Sequence, residues 1–113
     1  MKNIIFSLSK NKDFKLILGG KKISNKYSTI FYKKLPNKKD NVLNLSFVVK
    51  KKVGKAVMRN KIKRRLRNIM NDISKKIKLN FKYSYVVIAK KNVVTDPYLE
   101  IKNELIKKFS TIK

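Results

Sequence analysis

The stretch VLNLSFVVKKKVGKAVMRNKIKRRLRNIMNDISKKIK, positions 42–78, predicts a strand followed by a long helix. In the strand, residues 42–50, one face is wholly apolar and carries Leu43, Leu45, Phe47 and Val49. Val53 and Gly54 lead into the helix, residues 56–78. At about 100° per residue, its apolar side chains fall in a single stripe. The stripe consists of Met58, Ile62, Leu66, Ile69, Met70 and Ile73. The helix is therefore expected to bury one side.

The residues before position 42 predict one further helix and one further strand. Ser9 can cap a short helix that runs through Leu18 and is stopped by Gly19 and Gly20. Residues 27–35 are rich in aromatic and β-branched side chains, which favours a strand. Residues 36–41, PNKKDN, are typical of a turn. Strands 27–35 and 42–50 are therefore expected to pair as a hairpin.

The residues after the long helix predict a buried strand and a last helix. Residues 83–90 are apolar on both faces, which indicates a central position in the sheet. Asp96 is expected to cap the last helix, with Pro97 at its first position. The resulting order, α-β-β-α-β-α, predicts an α+β fold in which three helices pack on one small sheet. A chain of 113 residues is expected to form a single domain, 1–113.

The composition limits the classes of function that this protein can have. The chain has 31 Lys and Arg against six acids, a formal net charge of +25, yet 42% of its residues are hydrophobic. It therefore differs from a disordered basic tail and is expected to be a folded domain that attracts polyanions. It has no Cys, which excludes disulfides and thiolate metal sites. No apolar run approaches the roughly 20 residues of a membrane span, so a cytoplasmic protein is expected.

The positive charge is concentrated at the start of the long helix. Residues 50–67 contain ten basic residues and no acid. A second helical stripe, clear of the apolar one, carries Arg59, Asn60, Lys63, Arg64 and Arg67. An ordinary solvated face would mix charges of both signs to form pairs one turn apart. The absence of acids instead favours phosphate binding, for which the planar arginine fork is well suited.

Residues 51–67, KKVGKAVMRNKIKRRLR, resemble the RNR signature of the bacterial ribonuclease P protein family. Every fixed position of the family pattern K-K-x-G-x-A-V-x-R-N-x-x-K-R-x-x-R is filled. Asp13 and Phe14 resemble the Asp-Phe pair of the family's first helix, and residues 85–90 are similar to its strand after the signature. The resemblance thus spans nearly the whole chain.

The resemblance implies a more detailed fold than the residue patterns do. The family has an α-β-β-β-α-β-α order, with a small, mostly antiparallel sheet of about four strands. Its signature helix lies in a left-handed βαβ crossover. A fourth strand would come from a short piece near Ile23 or from a break within residues 27–50.

The resemblance also implies a function in the 5′ maturation of transfer RNA. The protein would be one subunit of ribonuclease P, an endonuclease whose RNA subunit holds the catalytic Mg²⁺ and removes the 5′ leader from precursor transfer RNA. One protein and one RNA would form the particle, and the protein would bind no cofactor tightly. The contacts to the partner RNA would be Lys51, Lys52, Arg59, Asn60, Lys63, Arg64 and Arg67. The leader cleft would be lined by Phe14, Leu18, Phe31, Tyr32, Phe47 and Val49.

Parts of this cleft are open to other interpretations. Leu18 stands where the family has a second aromatic residue, and either Phe31 or Tyr32 could be the strand aromatic that faces the cleft. Aromatic side chains in a small domain also lie more often in the core than on a stacking surface. A core position is therefore an alternative for Phe14, Phe31, Tyr32 and Phe47.

The sequence contains no credible active site of its own. It has no His, and its six acids are Asp13, Asp40, Asp72, Asp96, Glu100 and Glu104. Only the last three are spaced to share a helix face, where a role at the helix N-terminus is the simpler interpretation. We therefore expect catalysis by the partner RNA. The alternatives are a non-enzymatic ribosomal or chaperone-like RNA-binding protein and, third, a DNA architectural protein.

Overall fold

The computed structural model describes residues 5–6, 11–35, 43–80 and 82–112. The chain forms β1 (Ile5–Phe6), α1 (Asn11–Leu18), β2 (Lys21–Ser24), β3 (Ser28–Lys33), β4 (Leu43–Val48), a 3₁₀ turn (Lys51–Val53), α2 (Ala56–Lys76), β5 (Ser84–Ala89), α3 (Asn92–Thr95) and α4 (Tyr98–Phe109). The predicted first helix, the three strands and the long helix are confirmed to within a few residues. The proposed Ser9 cap and the turn at 36–41 lie outside the described residues.

The strands form one mixed sheet in the order β1-β4-β5-β3-β2. β5 lies at the centre, as its apolar character on both faces predicted. It pairs antiparallel with β3 and parallel with β4. Of the two outer pairs, β2–β3 is antiparallel and β1–β4 is parallel. The sheet is therefore mixed, whereas the resemblance implied a mostly antiparallel one.

The hairpin predicted between residues 27–35 and 42–50 is wrong, because β5 lies between β3 and β4. β4 and β5 are instead neighbouring parallel strands joined through α2, a crossover whose left-handed sense stays a prediction. The hairpin in the structure is β2–β3, which supplies the extra strand expected near Ile23. In its turn, the Asn25 side-chain oxygen accepts hydrogen bonds from the backbone N–H groups of Tyr27 (2.8 Å) and Ser28 (3.0 Å).

α2 and α4 cover one face of the sheet and form the main core with it. The apolar stripe of α2 is confirmed: Ile62, Leu66, Ile69, Met70 and Ile73 are buried. They pack in one cluster with Ile30, Leu45, Phe47, Tyr85 and Val87 of the sheet and with Ile101, Leu105 and Phe109 of α4. Truncating one such Leu or Ile to Ala typically costs about 2–5 kcal/mol. This packing fixes α2 against the sheet and leaves its opposite side exposed to solvent.

α1 lies on the opposite face of the sheet, against β3 and β5. Ile17 and Val86 are both fully buried, yet neither belongs to the main core cluster. Val86 alternates with the core residues of β5, so it points to the α1 side. Gly20, just after α1, lets the chain pass close to β3, because a Cβ there would lie 2.6 Å from the Tyr32 carbonyl oxygen. α1 thus covers part of a second sheet face.

The segment before the last helix differs from the predicted one. α4 begins at Tyr98, with Pro97 in the capping position and no side-chain cap. The prediction that Asp96 caps this helix is wrong, because its carboxylate accepts a hydrogen bond from the Tyr27 hydroxyl at 2.9 Å instead. The short helix α3 was not predicted. None of the described helices has the length and apolar character that crossing a membrane requires.

Candidate nucleic-acid interface

The outward side of α2 and the 3₁₀ turn before it carry the cations that the sequence singled out. Lys63, Arg64, Arg67 and Asn60 are exposed on α2, and Arg59 is half-buried at the margin of the core. Lys51 and Lys52 are exposed on the turn. We call this set the α2 basic face: Lys51, Lys52, Arg59, Asn60, Lys63, Arg64 and Arg67. The structure brings all seven onto one helix and its approach. Arg59, however, is not clear of the apolar stripe as predicted, because its position on the helix lies beside the buried residues Leu66 and Met70.

Gly54 joins the 3₁₀ turn to α2. A Cβ at this position would lie 3.1 Å and 3.2 Å from the Cγ and Cβ atoms of Met58. These distances are tighter than ordinary van der Waals contact, so glycine allows the chain to pass close to the first turn of the helix. Lys51 and Lys52 are thereby placed beside the helical part of the basic face.

The cations of the α2 basic face have no partners within the described part of the protein. The one ion pair found there is Lys26 with Asp96, at 3.6 Å, and neither residue belongs to the α2 basic face. The first turn of α2 contains no acid and no side-chain cap. The Nε atom of Arg59 is buried without a hydrogen-bond acceptor. Apart from this buried Nε atom, the cationic donors of the face are available to an external anion, and phosphate matches them best.

Arg65 belongs to the same basic run but has a different environment. Its Nη1 donates to the Val94 carbonyl at 3.1 Å, and its Nη2 donates to the Asp96 carbonyl at 3.0 Å. Its guanidinium carbon lies 6.0 Å from the centre of the Tyr98 ring. The donors of Arg65 are therefore used inside the protein, where they fasten α2 to the segment between α3 and α4.

The network around Asp96 extends this connection to the β2–β3 turn. The Tyr27 hydroxyl bond, together with the nearby Lys26 ammonium, holds the pKa of the Asp96 carboxyl below its ordinary value. Tyr98 donates a hydrogen bond to Asp72 of α2. Burial, followed by this bond, raises the pKa of Tyr98 to about 12. α2, α4 and the β2–β3 turn are thus linked by polar contacts as well as by the core.

The residues expected to line a leader cleft divide between the two faces of the sheet. Phe31 is paired in register with Val86 and points to the α1 side, where it is half-buried. Phe47 and Val49 are buried in the main core on the opposite side. Tyr32 packs against the same core and makes an edge contact with Tyr83, with ring centroids 5.1 Å apart. Tyr32, Phe47 and Val49 were therefore wrong as cleft residues, since strand alternation places them with the core.

On the α1 side, Leu18 is 42% exposed in the last turn of α1. The side chain of Phe14 lies outside the described residues. The sheet floor also carries polar groups that sequence reasoning did not select. Asn44 donates a hydrogen bond to the Ser84 hydroxyl at 3.3 Å, and Ser46 is paired in register with Val86. The sequence pattern that could have identified these groups is the alternation of Asn44 and Ser46 with the apolar residues of β4, which places them on the opposite face from the core.

No group of three or more His, Cys, Asp or Glu side chains that could hold a metal ion occurs in the residues the structure describes. The two surfaces described above offer cationic hydrogen-bond donors on α2 and a mixed aromatic and polar floor beside α1. Both surfaces suit binding to RNA.

Known proteins are similar to this chain in sequence and in fold. A family model described as ribonuclease P matches residues 5–113. The ribonuclease P protein component of Streptococcus agalactiae is 34% identical over 102 residues, which cover 89% of this chain and 88% of that protein. The corresponding protein of Listeria monocytogenes is 31% identical, with 89% and 82% covered.

The solved ribonuclease P protein from Thermotoga maritima matches the fold with a TM-score of 0.77, at 28% identity, and 96% of this chain and 98% of that one are covered. The Staphylococcus aureus protein gives a TM-score of 0.74 at 28% identity, with 94% and 93% covered. None of these similarities favours the ribosomal, chaperone-like or DNA-architectural alternatives. The chain belongs to the bacterial ribonuclease P protein family, as a protein subunit of that RNA-processing endonuclease.

Proposed function

We propose that the chain binds the RNA subunit of ribonuclease P through the α2 basic face. The observation that carries this proposal is that the six cations of the face have no partner among the residues that the structure describes, while the other side of α2 is buried in the core. Because the helix backbone is already fixed, binding to phosphates has to order only the side chains. Asn60 adds both a donor and an acceptor for a ribose hydroxyl or a base edge.

The α1 side of the sheet is proposed to bind the single-stranded 5′ leader of precursor transfer RNA. Phe31 offers an aromatic ring, and stacking on such a ring is worth roughly 1–3 kcal/mol per base. The half-buried Asn44 supplies a hydrogen-bonding group on the same face. Phe14 and Leu18, on α1, complete the proposed cleft.

The partner RNA is proposed to carry out the cleavage and to hold the catalytic Mg²⁺, and the protein alone is proposed to be inactive. A protein nuclease needs a general base or a cluster of metal ligands, most often His or grouped carboxylates. This chain has no His, and Asp72 and Asp96 are already engaged with Tyr98 and Tyr27. One copy of the chain is proposed to act with one RNA.

Reconstitution tests this function directly. Leader-bearing precursor transfer RNA is incubated with Mg²⁺ and with the purified chain, with the partner RNA, or with both. We expect the RNA and protein together to cut at one site and release the leader, and the protein alone to leave the precursor intact. The double variant Arg64→Ala/Arg67→Ala should bind the partner RNA more weakly. Specific cleavage by protein that is free of RNA would overturn the assignment of catalysis to the RNA.

A further inference from the structure

Two lysines flank Phe31 on the α1 side of the sheet. Lys22 of β2 lies directly opposite Phe31 in the strand register. Directly opposite residues of antiparallel strands share a face, with Cβ atoms about 4.5–5.5 Å apart. Lys33 follows Phe31 by two positions in β3 and therefore points the same way. The two lysines are diagonal neighbours across the β2–β3 pair, roughly 7–8 Å apart.

Neighbouring residues confirm which way these side chains point. Ile23 packs against the main core, so Lys22 must point to the other face. At the end of α1, a Cβ on Gly20 would lie only 2.9 Å from the Cβ of Lys33. The base of Lys33 is therefore held against the end of α1, at the mouth of the space between that helix and the sheet.

Both lysines are exposed, and neither has a hydrogen-bond or ion-pair partner in the described ranges. Phe31 is half-buried, so part of its ring is accessible beside them. An accessible aromatic ring next to free cations suits a nucleotide, whose base can stack while its phosphates contact the ammonium groups. Leu18, the exposed apolar residue of α1, offers no ring for a second stack.

We propose that Lys22 and Lys33 form a phosphate clamp beside Phe31, which holds the backbone of a single-stranded RNA segment whose base stacks on that ring. This inference rests on the proposed binding of the leader to the α1 side. It adds two contact residues that lie outside the signature motif, and it directs the leader across β3 towards the β2 edge.

Lysines on an edge strand have another common use, which is to prevent pairing with other sheets. The chain provides a matched control for that role. Lys21 is the neighbour of Lys22 on the same edge strand and is also exposed, but it pairs with Tyr32 and so points to the other face. Edge protection requires charge at either position, whereas the clamp requires Lys22.

The test measures affinity of the reconstituted holoenzyme for precursor transfer RNA with a single-stranded leader and for the mature product, over a series of salt concentrations. Lys22→Ala and Lys33→Ala should each lower the precursor-over-mature affinity ratio by roughly two- to fivefold. Each should also reduce the log–log salt slope for the precursor by about 0.7, the value for one single-strand phosphate contact. Lys22→Arg should retain most of the ratio, and Lys21→Ala should leave it unchanged.

Three results would overturn the clamp. If the parent holoenzyme prefers the precursor but the Lys22→Ala/Lys33→Ala double variant keeps that preference and slope, the lysines make no contact and the leader site itself stands. If Lys21→Ala lowers the precursor-over-mature affinity ratio as strongly as Lys22→Ala, the loss reflects the overall positive charge of the edge and not a contact made by Lys22. If the parent holoenzyme shows no preference for the precursor, both the clamp and the proposed leader site are wrong. Unchanged affinity for the partner RNA in every variant confirms that only the α1 side is tested.

Discussion

Arg64 and Arg65 are neighbours on α2, and replacing each by alanine should have opposite consequences. Arg64 is exposed and belongs to the α2 basic face. Arg65 donates hydrogen bonds of 3.1 Å and 3.0 Å to two backbone carbonyls near α3 and lies over the Tyr98 ring. We therefore expect Arg64→Ala to lose affinity for the partner RNA with little change in stability, and Arg65→Ala to lose stability.

The contacts of Arg65 set the size of the expected loss. Each hydrogen bond contributes about 1 kcal/mol net, since the side chain is half-exposed and water can partly replace it. The cation–π contact adds about 0.5 kcal/mol. Arg65→Ala should therefore lower the free energy of unfolding by about 2–3 kcal/mol, a substantial part of the roughly 5–15 kcal/mol typical of a domain. Arg64→Ala should change it by less than about 0.5 kcal/mol.

Denaturant unfolding followed by circular dichroism, together with partner-RNA binding in the same buffer, measures both effects. Arg65→Lys is the informative intermediate, because it keeps the charge but lacks the planar fork whose two nitrogens reach the two carbonyls. It should recover only part of the lost stability. Folded Arg65→Ala should still bind the RNA with near-parent affinity. Equal stability of the two alanine variants, or a greater loss for Arg64→Ala, would refute this division of roles.

Three further predictions concern the end of α1, pH and salt. Gly20→Ala should lower the free energy of unfolding by about 1–3 kcal/mol, because its Cβ would lie 2.6 Å from a backbone oxygen, whereas Gly19→Ala, with 3.5 Å available, should be tolerated in the same unfolding assay. The pKa of the Asp96 carboxyl is lowered in the folded protein. Its contribution to the free energy of unfolding is therefore present above the ordinary pKa of 3.8 and is lost as pH falls through the folded value. Thermal melts between pH 5 and pH 3 should therefore fall more steeply for the parent than for Asp96→Asn, and parallel curves would contradict the network. Lys63→Ala should reduce the log–log salt slope of partner-RNA binding by roughly 0.7–0.9, with Lys107→Ala on α4 as the unchanged control.

The helices and strands could be predicted well because side chains repeat with a period of 3.6 residues in a helix and of two residues in a strand. The apolar stripe of α2 repeats with the helical period, and β5 is apolar on both faces, which indicated its central position. Neighbours in the sheet were harder, since alternation tells which residues share a face but not which strand lies beside them. The pairing of β3 with β4 was therefore expected from their closeness in the chain, and β5 in fact separates them.

Prediction of the candidate site was limited in the same way, since a sequence pattern shows which residues share a face but not what packs against that face. The alternation in β4 groups Phe47 and Val49 with Leu45, which already indicated the core face, so the resemblance alone carried their assignment to the cleft. Arg65 could not be distinguished from Arg64 by its type, since its partners are backbone carbonyls that only the packing of α2 against the α3–α4 segment brings near.

The central claim is that the outward side of α2 faces the partner RNA, and directed hydroxyl-radical probing tests it most directly. The chain has no Cys, so a single introduced cysteine carries an iron chelate without side reactions. Asn68→Cys lies exposed on α2 beside the basic face, and Asn103→Cys lies exposed on α4. In the holoenzyme, iron at position 68 should cut the partner RNA strongly at a few discrete sites, and iron at position 103 should cut it weakly or not at all. Equal cutting from both positions, or stronger cutting from 103, would contradict the account.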